Sequence, residues 1–169
     1  MSQLVFRFYQ GLLFLSCVSM IAAFFSVLLG VVAREVHWDI PGLDAYAGYA
    51  IACALFLALP ATLQRGDHIR VTLLLDRLPS RARSALEWVC LFAGLAISFT
   101  LAWFAIRLVW TSWATHDISP GADATALWIP QLGMALGCIG FALSFAHAIL
   151  LRWQGGQFIA VSTESAHIE

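Results

Sequence analysis

The chain has 169 residues, a mean hydropathy of +0.83, 11% charged side chains and a formal net charge of −1. A soluble domain carries about a quarter of its residues charged, so the surplus apolar surface excludes open water and points to lipid as the solvent. The near-neutral balance also excludes the basic field that a nucleic-acid binder needs.

Four segments are long and apolar enough to cross a hydrocarbon core of about 30 Å, which takes about 20 residues. The first, 8–33, contains no charge. Its apolar run far exceeds a signal-peptide core and no small-x-small cleavage site follows, so it reads as a retained helix. The second, 45–64, holds Pro60 near one end, where a kink is expected. The third, 86–113, includes one charge, Arg107. The fourth, 127–151, carries Pro130 in its first turn, where a missing N–H costs little. Gly155 and Gly156 are expected to stop it. The fold class is therefore all-α and membrane-integral: one domain, 1–154, made of a bundle of four transmembrane helices. A polar tail, 155–169, has too little apolar content to fold alone.

All nine basic residues are arginines, and they are unevenly placed. Arg65, Arg70, Arg77, Arg81 and Arg83 lie between the second and third spans, with Arg7 and Arg152 near the chain ends. The other two loops carry Glu35, Asp39, Asp44, Asp117 and Asp123 against Arg34 alone. The positive-inside rule then puts both termini and the arginine loop in the cytoplasm and the two acidic loops outside. Trp38, Trp110, Trp113 and Trp128 fall at the outer helix ends and Trp88 and Trp153 at the inner ends, as an aromatic belt requires; only Trp103 sits deeper.

Within the arginine loop, Val71, Leu74, Leu75, Leu78 and Ala82 recur at helical spacing. The stretch is too short to span and too apolar for water. It fits a short amphipathic segment at the interface, with leucines in the acyl boundary and arginines at lipid headgroups. A strand there would leave an unpaired edge at the bilayer. Pro79 interrupts the segment, and Ser80 is placed to cap the helix that follows.

Little chemistry can be assembled inside the spans. Cys17, Cys53, Cys90 and Cys138 fall one per helix, which suits packing and not a disulfide framework or a thiolate metal site. Arg107 lies near the outer end of the third span, which favours snorkelling or pairing with a neighbouring subunit over a substrate site. His147 is the only histidine in any span, so the paired ligands of a haem-bearing redox subunit are lacking, as are external cysteine pairs for a thiol oxidase. A small multidrug exporter would need a membrane-buried glutamate, which no span holds. Gly133, Gly137 and Gly140 line one side of the fourth helix and form a candidate close-packing face. A transporter acting alone needs coupling groups at mid-depth. The chain reads instead as a subunit of a larger machine.

One ordered set of residues is more specific: Gly66, His68, Ile69 and Arg70, a leucine run, then "DRLP" at Asp76 to Pro79, and later "WIPQLGMALG" heading the last helix. With four spans, the chain resembles the small membrane subunit, of the DctQ type, of tripartite ATP-independent periplasmic (TRAP) transporters. The resemblance covers the whole membrane portion. It implies a bacterial inner-membrane protein that is not an enzyme and holds no cofactor. Its implied partners are a large multi-span permease subunit, which carries Na⁺ and an organic acid or other carboxylate solute, a periplasmic substrate-binding protein, and membrane lipids. On that reading Gly66, His68, Ile69, Arg70 and Arg77, with Gly133, Gly137 and Gly140, pack against the large subunit or the membrane interface. Asp39, Asp44 and Asp117 become the expected docking contacts for the binding protein. The alternative is a structural or assembly subunit of another membrane complex.

Overall fold

In lipid every backbone N–H and C=O must be satisfied within the chain, so an uninterrupted apolar run has one economical conformation, the α-helix. The computed structural model describes residues 3–38, 40–65 and 79–154. In it the four apolar runs form α1 (Gln3–Glu35), α2 (Leu43–Arg65), α3 (Ser80–Ala114) and α4 (Trp128–Trp153). All four are long and apolar enough to span a membrane. With 33 and 35 residues, α1 and α3 are each about 50 Å long at 1.5 Å per residue, and so outreach the hydrocarbon core.

The helices begin and end close to the expected boundaries except at two starts, that of α1, five residues early at Gln3, and that of α3. That helix begins six residues earlier than expected, directly after Pro79, which stands at the N-cap with φ −61° and ψ 150°. Ser80 was the expected cap; it is the first helical residue, and no side chain caps this end. Proline is locked near φ −65°, and in extended ψ its carbonyl accepts the first helical bond, from the Arg83 N–H at 3.0 Å. The added turns are held by Glu87, which Arg83 meets at 3.4 Å and Arg152 of α4 also pairs with. The Arg152 guanidinium lies 5.6 Å from the centre of the Trp88 ring as well.

Across the molecule the order is α1–α2–α4–α3. The expected bundle is thus an open row: α1 and α3 stand at its two edges, and α3 packs to any extent only on α4. Chain neighbours α2 and α3 have α4 between them and make little direct contact.

The core inverts the pattern of a soluble protein. Most buried positions are small, among them Ala54, Ala102, Ala105, Ala135, Cys138, Ala148, Ser98 and Ser144, and Tyr9, Leu12 and Leu57 form the one cluster of larger side chains among the described residues. Large apolar side chains face outward, Phe14 at 71% exposure among them. Lipid tails are as apolar as leucine, so helices gain from close approach, and small residues permit it. Ser16 donates to the Ala54 carbonyl across the α1–α2 seam at 2.7 Å. The Cys53 thiol donates to the Pro130 carbonyl at 3.5 Å between α2 and α4. Cys138 packs with Ala102, Ala105 and Ala135, and all four cysteines are free thiols.

The glycine face of α4 has a partner inside the chain. A side chain at Gly133 would collide with Cys53, one at Gly137 with the Phe56 carbonyl, and one at Gly140 with Leu12 and Pro60. These glycines were expected to meet the large subunit; the structure gives them to α2, with α1 touching the last. The reason lies four residues beyond Phe56. Pro60 has no N–H, so the Phe56 carbonyl loses its helical donor. Only at a glycine can a second backbone come close enough for a Cα–H to face that oxygen.

Candidate functional site: the joined loops at one end of the helices

Residues 36–38 and 40–42 meet residues 115–127 at the same end of the row. Three turn features bring the chain round. Gly42 has φ 85°, in the left-handed region that glycine enters at least cost. A side chain there would strike Asp123, whose Cβ lies 2.6 Å from the place it would occupy. In the second loop, Ser119, Pro120 and Gly121 supply turn chemistry. Ile118 and Ala126 then pair as an isolated antiparallel bridge. The Leu127 N–H to Asp117 carbonyl bond at 3.0 Å and the Ser119 N–H to Thr125 carbonyl bond at 2.8 Å close this small ring.

Asp123 is the hub. Ser119 donates its hydroxyl to one carboxylate oxygen at 2.7 Å, and Tyr49 of α2 donates to the other at 3.2 Å. The Thr125 N–H also donates, at 3.4 Å. One turn before Tyr49, the Tyr46 hydroxyl accepts from Thr125 at 3.3 Å. The Ser119 hydroxyl, with the Thr125 and Tyr49 bonds, holds the Asp123 carboxyl below its ordinary range against a smaller opposing effect of desolvation. A negative charge is therefore fixed where the second loop meets α2, packed against Gly42 of the first loop.

Beside this hub, Arg34 at the end of α1 reaches Asp44 in the first turn of α2, with Nη2 at 3.1 and 2.9 Å from the two carboxylate oxygens. Both side chains are well exposed, and such a pair contributes about 0–1 kcal/mol. A cleft of about 420 Å³ opens between the loops, lined among others by Arg34, Trp38, Pro41, Gly42, Asp44 and Asp123.

Of the three acids expected to dock a partner, Asp44 is therefore already paired within the chain. Asp117 is exposed at the start of the second loop. Asp39 lies outside the described residues, as do Gly66, His68, Ile69, Arg70 and Arg77. The residue that sequence reasoning counted but did not single out is Asp123. Its signal was present in the stretch 119–123, a turn closed by an aspartate four residues after a serine, with tyrosines one turn apart on α2. At the opposite end the helices are tied by Arg152 donating to Ser84 at 3.3 Å. Among the described residues no group of three or more His, Cys, Asp or Glu side chains is placed to hold a metal ion.

No curated protein and no solved structure matches the chain. A family model does: residues 23–155 match "Tripartite ATP-independent periplasmic transporters, DctQ component". That stretch holds the last part of α1, all of α2, α3 and α4, both joined loops and the arginine segment. The chain therefore belongs to the DctQ family, a component of tripartite transporters, and is a multi-pass protein of the bacterial inner membrane.

Proposed function

We propose that this DctQ component is the stationary scaffold of its transporter. It packs beside a large multi-span subunit that carries the solute, and its joined loops help receive the periplasmic binding protein. The cargo on this reading is an organic acid or other carboxylate solute moved with Na⁺, and the coupling ion sits in the large subunit. The supporting observation is the surface formed by Asp123. Two loops that otherwise hang separately from two pairs of helices are joined into one mainly acidic platform. A docking surface that must bind and release a soluble partner repeatedly gains rate from charge and selectivity from rigidity. The excess of arginine on the other side orients this platform toward the periplasm.

Reconstitution in vesicles tests the reading. The large subunit, the binding protein and this chain together should give Na⁺-driven uptake of the binding protein's ligand. This chain alone should give none. Uptake by this chain alone, or undiminished uptake without it, overturns the scaffold reading.

A further inference from the structure

The open row leaves two edge helices, and their outward faces differ. On α1, the exposed positions from Gly11 to Val32 are entirely apolar, with Phe14, Ile21 and Phe25 prominent. Acyl chains satisfy such a face fully. On α3, the buried positions Ser98, Ala102, Ala105 and Ser112 turn toward α4. The opposite side presents Trp103, Arg107 and Trp110, at the i, i+4, i+7 spacing of one helix stripe. Trp103 and Trp110 are 61% and 66% exposed, and Arg107 is exposed with them.

Acyl chains cannot satisfy this second face. Arg107 makes no ion pair or hydrogen bond among the described residues, and neither does the Trp103 indole. Arg107 stands about two turns inside the end of α3, and Trp103 one turn deeper. Helical side chains lean toward their helix N-terminus. Because α3 ends at the joined loops, that lean carries the guanidinium toward the middle of the membrane and away from the nearer headgroups. A phosphate at the surface would reach Arg107 only against this lean, and Trp103 lies a further turn from it. A polar group on a neighbouring protein helix meets both. Sharing Trp110 with the stripe, an apolar cleft of about 350 Å³ between α3 and α4, lined also by Ile106, Trp113, Trp128 and Leu132, offers a recess for the neighbour's side chains. Tryptophan and arginine beside a recess are the usual composition of an interface centre.

We propose that this α3 face is where the component meets the large transport subunit, with Arg107 taking a carboxylate from one of that partner's membrane helices, and that the α1 face is left to lipid. The inference rests on the scaffold reading for the existence of that partner.

The test uses membranes that contain both subunits. A photo-reactive benzoylphenylalanine replacing Trp103 should form a covalent adduct with the large subunit on irradiation, and the same probe replacing Phe25 should not. Arg107→Leu should insert as well as the unaltered chain, since it removes a charge from the membrane. It should nevertheless lower the amount of large subunit recovered with it about tenfold, the loss expected when one partner of an interfacial charge pair is removed. Arg107→Lys, keeping the charge without the planar fork, should fall between. Undiminished recovery with Arg107→Leu, or adducts from position 103 with phospholipid only, overturns the proposal while leaving the scaffold reading intact. If the unaltered chain recovers no large subunit, both fall.

Discussion

At the scale of single residues, the most constrained position is Gly137. Its value comes from a defect on another helix, the Phe56 carbonyl deprived of a donor by Pro60. Gly137→Leu should therefore unsettle the subunit itself and not only its association with a partner. Thermal unfolding in detergent should show a loss of about 3 kcal/mol, the upper range for forcing bulk into a packed seam. An unchanged melting temperature would show that the seam opens at little cost. Asp123 is the second such position. Its folded-state pKa is depressed, so its contribution is present above the ordinary aspartate value of 3.8 and is lost as pH falls through the lower folded value. Protection factors of the 117–127 amides, exchange rates taken relative to the intrinsic rate at each pH, should thus be high and steady from about pH 8 to 5 and fall in stronger acid. Asp123→Asn should show low protection factors across the whole range. Equal protection in the two chains would remove Asp123 from its role as hub.

At the scale of elements, the pairing of helices sets which charges are free to act. Arg34 lies at the end of α1 and Asp44 at the start of α2, so the turn between them brings the two together. Within the docking proposal, Asp117→Lys should slow uptake at limiting binding protein, and rising salt should shrink the difference, because exposed charges are screened within about 8–10 Å. Arg34→Gln, which releases Asp44, should do the reverse and speed uptake at low salt. Neither change altering uptake would leave the acids of this end with no docking role.

At the scale of the whole molecule, orientation follows from asymmetry of charge. Both helix termini, Gln3 and Trp153, stand at the end opposite the joined loops, as four alternating spans require. A reporter fused after Glu169 should be active in the cytoplasm; activity confined to the periplasm would invert the orientation and remove the loops from the binding protein's side. The existence, number and approximate limits of the helices were fixed by composition, since in lipid an apolar run of sufficient length has no competing structure. Family membership was equally legible, in short ordered motifs. The neighbours were not. Hydropathy says which residues avoid water, but in a membrane every face of a helix does so. It therefore cannot say that Gly133 and Gly137 meet α2, that α3 is an edge helix, or that Asp123 joins two loops. Those follow from contacts between residues far apart in the chain, chosen by shape and by unpaired backbone groups such as the carbonyl of Phe56.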